Sequence, residues 1–149
     1  VQTCALPISK LPDKQETVIL TSEDYFGRQS RAVKPDAQVI SNADVLIERV
    51  NALLIEVYGE TGIDPDDITS GWRTAAYNAK VKGAAVNSKH ITGQAVDVSD
   101  PDGLLDEFLF ANQQYLVENS LWMEHPASTK GWTHLQSIPP RSGNRVFFP

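Results

Sequence analysis

The chain has three histidines, His90, His125 and His134, so any imidazole-based chemistry must be built from a very small set. His90 and Asp97 sit seven residues apart within the segment Ser88-Lys89-His90-Ile91-Thr92-Gly93-Gln94-Ala95-Val96-Asp97. A loop histidine, a glycine that permits a tight re-entry and an aspartate on the strand that follows can converge on one point. His134, in Trp132-Thr133-His134-Leu135-Gln136, can complete a three-ligand face from a later strand. Catalytic zinc takes three protein ligands of nitrogen and oxygen type and keeps a further position for water, and two His with one Asp meet that count. Taken singly these residues say little, because a lone loop histidine is more often structural and a strand aspartate more often caps a turn.

Their joint pattern says more. Ser70-Gly71-Trp72-Arg73, then Ser88-x-His90-x-x-Gly93-x-Ala95-x-Asp97, then Trp132-x-His134-x-Gln136 resembles the D-alanyl-D-alanine carboxypeptidase family of zinc peptidases, over about Thr21 to Ile138. That family includes phage endolysins that cut the L-alanyl-D-glutamate bond, and it is related in fold to the hedgehog signalling domain. The resemblance implies Zn2+ held by His90, Asp97 and His134. It implies a peptidoglycan stem peptide as substrate, an amide bond as the bond cut and a zinc-bound water as nucleophile. Arg73 would bind a substrate carboxylate through its planar fork of donors, the alternative being a salt bridge to a neighbouring acid. Ser88 could contact substrate or a ligand, or hold its loop by a local turn. Gln136 could contact substrate or sit on the outward face of its strand.

The pattern departs from the family at one point. Hydrolysis needs a general base beside the metal, and many relatives place a Glu or Asp three residues before the last histidine. Here that position is Gly131. The nearest carboxylate upstream is Glu124, and a hairpin centred on Thr129 would make Glu124 and His134 cross-strand partners on one face. Glu124 is therefore assigned as the general base. His125 beside it is a candidate to stabilise the oxyanion of the tetrahedral intermediate, or else a residue of the hairpin loop. Trp122 and Trp132 could line the cleft or pack in the core.

The elements that must position these groups are legible in outline. Val45, Leu46, Val50, Leu53, Leu54 and Val57 recur at helical spacing and predict a helix over Ser41–Tyr58, with Ser41 or Asn42 as cap and Gly59 as stop. A short strand is expected at Ile68–Trp72, helical character at Thr74–Val81, and an alternating strand at Gln94–Val98. A second helix is expected over Leu104–Val117, entered after Asp102, with Leu105, Phe108, Leu109, Asn112 and Leu116 near one stripe. Strands at Leu121–Glu124 and Trp132–Ser137 follow, and the tail with Val146, Phe147 and Phe148 should lie against the body. The expected class is α+β, a small, mainly antiparallel sheet flanked by helices. By the resemblance it is hedgehog- and D-Ala-D-Ala-peptidase-like.

Bulk properties narrow the function further. A net charge of -6 and a pI near 4.9 argue against nucleic acid as partner, since phosphate binding draws on clustered Lys and Arg. No apolar run is long enough to span a membrane. Residues Val1–Ile8 read like the translation of a sequencing adapter and are set aside as non-native, leaving residues 9–149 as a single domain. With Cys4 discounted there is no thiolate ligand and no disulfide. A monomer is expected, made in a bacterial cytoplasm before release to the cell wall. Phage encoding, or secretion if the true N-terminus is missing, stays open. A non-catalytic zinc domain that binds the wall, or a phage structural component, is the competing reading, and the glycine at position 131 speaks for it.

Overall fold

The computed structural model describes residues 20–149. The adapter-like segment, Cys4 and the start of the domain at residue 9 lie outside them. Two short helices, α1 (Ser22–Phe26) and α2 (Gln29–Ala32), lead into the long helix α3 (Ala37–Thr61). Then come β1 (Ile68–Ser70), α4 (Ala75–Asn78), β2 (Ala95–Asp100), α5 (Leu104–Ala111) and α6 (Gln114–Glu118). The chain ends through β3 (Trp122–Glu124), a 3-10 turn (Pro126–Ser128), β4 (Gly131–Gln136) and β5 (Val146–Phe147). Among the described residues no helix is long and apolar enough to cross a membrane.

Helix α3 starts a turn earlier and ends later than its apolar periodicity predicts. The Asp36 carboxylate caps it by accepting from Val39 N at 2.8 Å, ahead of Ser41 and Asn42. Gly59 is carried inside the helix, and the stop is Gly62, which takes the left-handed conformation at φ 75°. Leu46, Val50, Leu53, Leu54 and Val57 form the buried stripe, whereas Val45 is exposed. Each fully buried side chain of this kind contributes about 1.5–3 kcal/mol.

The predicted single helix over 104–117 is two. The Asn112 side-chain amide donates to the Phe108 carbonyl at 2.8 Å, and its backbone leaves the helical region at φ -132°, so α5 closes at Ala111 and α6 starts afresh at Gln114. The helix is entered after Asp102, through Gly103 at the N-cap position, and the Asp100 side chain supplies the capping carboxylate. Its two carboxylate oxygens accept from Leu105 N at 3.1 Å and Asp106 N at 2.9 Å.

The strands form one five-stranded sheet in the order β1-β2-β4-β3-β5. The β1–β2, β2–β4 and β3–β4 pairings are antiparallel and β3–β5 is parallel. The sheet is therefore mixed, which corrects the expectation of a mainly antiparallel one. The difference comes from the tail: after β4 the chain passes β3 and re-enters the sheet on its far side, with Met123 opposite Val146 and Glu124 opposite Phe147. Register sorts the side chains by face. Val96, Val98, Met123 and Leu135 join the stripe of α3 and Leu105, Leu109 and Leu116 in the hydrophobic core. The alternate positions on β2, β4 and β3 carry Asp97, His134 and Glu124.

Candidate metal centre

His134 and Asp97 are direct partners in the β2–β4 ladder. On the other side of β4, Trp122 faces Gln136 and Met123 faces Leu135, so the same register carried one residue further sets Glu124 opposite His134. Three consecutive strands thus present a carboxylate, an imidazole and a carboxylate in a row on one face. This is the register of a hairpin centred on Thr129, and it follows from the strict alternation of Trp132, His134 and Gln136 with Thr133 and Leu135.

The fourth group arrives from the loop between α4 and β2. A register shift in β1, between Ile68 opposite Val98 and Ser70 opposite Asp97, bends the chain into Gly71-Trp72-Arg73 beside the site. Three hydrogen bonds join this segment to the His90 loop. Arg73 N donates to the His90 carbonyl at 3.2 Å, the Trp72 indole to the Ile91 carbonyl at 3.0 Å, and His90 Nδ1 to the Gly71 carbonyl at 2.8 Å. Gly71 is required here, because a Cβ would lie 2.1 Å from the Tyr25 carbonyl oxygen. The loop then turns back into β2 through Gly93, whose φ of +77° is the left-handed re-entry its position predicts.

His90, Asp97 and His134 are all buried, and one ligand atom from each lies within 4.8 Å of the others. Their hydrogen bonds decide which atoms face inward. The Gly71 carbonyl can only accept, so His90 carries its hydrogen on Nδ1 and turns Nε2 to Asp97 Oδ2 at 3.3 Å. The Gln136 amide donates to the Ile138 carbonyl at 2.7 Å, which turns its Oε1 to His134 Nε2 at 3.0 Å. His134 therefore carries a hydrogen on Nε2, and its Nδ1 faces Asp97 Oδ1 at 2.8 Å. Each imidazole is thus tied at one nitrogen to a carbonyl oxygen and offers the other to a shared carboxylate, the outer support that metal-binding histidines use. A carboxylate oxygen 2.8 Å from this Nδ1 is at hydrogen-bond distance, so a proton lies between them here, where a bound metal ion would take its place with the two groups slightly further apart.

The electrostatics agree. Burial pushes Asp97 up, but hydrogen bonds from His134 and His90, with their charge, overcome it and hold Asp97 well below the usual carboxylate range. Burial pushes His134 down, and the hydrogen bond and charge of Asp97 outweigh it, raising the imidazole above its ordinary value. The donor set, two imidazole nitrogens and a carboxylate oxygen in the absence of thiolates among the described residues, suits zinc.

The surrounding cleft has a volume of about 680 Å³ and is lined, beyond these three residues, by Arg73, Ser88, Glu124, Trp132 and Gln136 among others. Glu124 Oε1 lies 4.0 Å from His134 Nε2. Desolvation raises the Glu124 carboxyl above its ordinary pKa, with His134 pulling the other way. Arg73 is half an ion pair and half a cleft wall. Its Nη2 is 3.5 Å from Asp97 Oδ2, its Nε donates to Ser70 Oγ at 3.0 Å, and its Nη1 to Asn78 Oδ1 at 3.3 Å. Ser88 Oγ accepts from His90 N at 3.2 Å, the local turn that holds the histidine loop.

One candidate is not brought to the site. His125 is absent from the cleft lining; its Nδ1 caps the 3-10 turn by accepting from Ala127 N at 3.0 Å, and its ring stacks on Phe148 with centroids 4.4 Å apart. Trp122 is likewise not a cleft residue, being covered by the Arg145 guanidinium at 4.3 Å. Sequence reasoning missed the supporting roles of Gly71, Asn78 and Gln136. For Gln136 the signal was its place two residues beyond His134, on the same strand face. For Asn78, buried and far from any motif, there was none.

A family model described as Peptidase M15 matches residues 26–136, an interval that contains all the cleft residues named above. No curated protein and no solved structure matches the chain significantly.

Proposed function

The chain belongs to the peptidase M15 family, and from that premise we propose that it is a zinc-dependent peptidase hydrolysing an amide bond of a peptidoglycan stem peptide. The observation that carries this is the pair of imidazoles, each fixed at one nitrogen by a carbonyl oxygen and each turning the other to Asp97. His90, Asp97 and His134 would hold the ion, which when bound polarises the scissile carbonyl and makes water a stronger acid. The D-Ala-D-Ala-peptidase-like and hedgehog-related fold belongs to the same proposal, supported by the family match and by the mixed sheet that carries the ligands.

The chain's own residues supply the remaining steps. Glu124 takes a proton from the attacking water as the water oxygen bonds to the carbonyl carbon. It then delivers that proton to the leaving nitrogen as the C–N bond breaks, giving a carboxylate and an amine. Partial burial suits it to both tasks, because a carboxyl raised by desolvation is a better base than an exposed one. Arg73 keeps one N–H free on each terminal nitrogen beyond its bonds to Asn78 and Asp97, and presents these to a substrate carboxylate. Ser88 and Gln136 act in this reading by holding His90 and His134, and their positions in the cleft also let them meet the peptide backbone.

Mass spectrometry of purified muropeptides after incubation with the zinc-loaded protein tests the proposal. Loss of one D-Ala identifies a carboxypeptidase, and new L-Ala carboxyl termini identify an endopeptidase. Intact muropeptides, with zinc bound, would favour the non-catalytic zinc domain instead. What weighs against that alternative is the row Asp97, His134, Glu124, which holds a carboxylate beside His134 where position 131 offers none.

A further inference from the structure

The loop of residues 79–94 that delivers His90 also forms one wall of the cleft, and two of its residues on that wall are lysines, Lys82 and Lys89. Among the described residues neither forms an ion pair, whereas the other charged groups in the cleft are engaged: Arg73 with Asp97, Asp97 with both histidines, and Glu124 beside His134. The chain as a whole carries a net charge of -6, yet the charged side chains lining this cleft are Arg73, Lys82 and Lys89 against Asp97 and Glu124. With a divalent cation in place the excess of positive charge is larger still. An excess of positive charge in a cleft raises the local concentration of an incoming anion.

The wall is placed by a specific contact. Asn78 is buried, accepts from Arg73 Nη1 at 3.3 Å and donates to the Ala85 carbonyl at 2.8 Å, so the same amide fixes Arg73 and the loop relative to each other. Gly83, Ala84 and Ala85 lie between the lysines and leave the wall without bulky side chains. Arg73 has donors left for one carboxylate only, because Nε is bound to Ser70 and each terminal nitrogen is already engaged once.

We propose that Lys82 and Lys89 form a second carboxylate subsite, so that the substrate is a peptide bearing two carboxylates, one met by Arg73 and the other by the lysine wall. This rests on the peptidase reading for its substrate class, though not for its geometry. Ammonium groups on flexible stems suit a carboxylate that varies in position, as the rigid fork of Arg73 does not.

The test is calorimetric binding of L-alanyl-γ-D-glutamyl-L-lysyl-D-alanyl-D-alanine to the zinc-loaded protein, in a Glu124→Gln background that holds the peptide without cutting it. Two analogues, with either the glutamate α-carboxylate or the terminal carboxylate amidated, are titrated alongside. Each amidation should weaken binding about threefold to tenfold with Lys82 and Lys89 present. In Lys82→Gln/Lys89→Gln one of the two amidations should cease to matter, and Lys82→Arg/Lys89→Arg should restore its effect. The proposal is overturned if the double glutamine variant still discriminates against both analogues, or if amidation costs nothing to begin with. Cleavage of the same peptide by protein retaining Glu124 is followed separately. Absence of cleavage with this binding pattern intact would remove the peptidase reading and leave the subsite standing.

Discussion

Glu124 and His134 face each other across β3 and β4, with the carboxylate oxygen 4.0 Å from the imidazole Nε2. The register that produces this pairing is set by the two preceding pairs of the ladder, Trp122 with Gln136 and Met123 with Leu135. A one-residue slip would move Glu124 to the core face. Glu124→Gln keeps the shape and removes the base. It is expected to lower turnover by about a hundredfold to ten-thousandfold, the range for a positioned proton carrier, with zinc affinity unchanged. Steady-state cleavage of a stem peptide beside a chelator-competition titration checks both halves, and retained turnover would refute the role.

Gln136 would act on a bound metal ion only through His134, whose Nε2 its side-chain oxygen holds at 3.0 Å. Gln136→Leu leaves Nε2 without its acceptor, and zinc affinity should fall about tenfold to a hundredfold, the usual cost of an outer-shell loss. Competition with a fluorescent chelator measures it. Circular dichroism should show an unchanged fold, since Gln136 contributes a hydrogen bond to Ile138 and not core packing.

Much of this site is legible in the amino-acid sequence. The meeting of His90, Asp97 and His134 is expected from the motif resemblance, whereas the Gly93 turn and the cross-strand place of Glu124 depend on local residue types and on alternation along strands. What was not legible depends on contacts distant in sequence or on competition between local bonds. The parallel strand β5 needs the far edge of β3 to exist first, the break at Asn112 depends on a side-chain amide outcompeting the helix, and the fate of His125 was decided by Phe148 folding over its ring. Helix α3 extends to Asp36 because capping, and not apolar spacing, fixes a helix start.

Two glycines should respond in opposite ways to alanine. At Gly71 the new methyl would sit 2.1 Å from the Tyr25 carbonyl oxygen, so Gly71→Ala must shift the chain that holds His90 and should lose both stability and zinc affinity. At Gly59, inside α3, nothing lies within 4 Å, and Gly59→Ala should stabilise the fold by about 0.5–1 kcal/mol. Urea titration of both variants reads the contrast.

Asp106 gives the fold a pH dependence of its own. Burial pushes its carboxyl up to about 6, while a hydrogen bond from Thr129 at 2.8 Å opposes the shift; its other oxygen is buried with no hydrogen-bond partner among the described residues. A folded pKa above the unfolded one means that this group favours the folded state below the ordinary carboxylate pKa. That contribution is lost as pH rises from about 4 through 6. Asp106→Asn removes the titration. The stability difference between the variant and the parent should therefore shift in the variant's favour by about 1–3 kcal/mol across that window, with zinc held constant. Urea unfolding at pH 4, 5, 6 and 7 measures it, and a flat difference would contradict the assignment.

The account turns on whether His90, Asp97 and His134 share one cation. Metal analysis of the protein after incubation with zinc and exhaustive dialysis, run in parallel on His134→Ala, tests this most directly. One zinc per chain is expected in the parent and substantially none in the variant. A parent that retains no zinc, or a variant that retains a full equivalent, would contradict it.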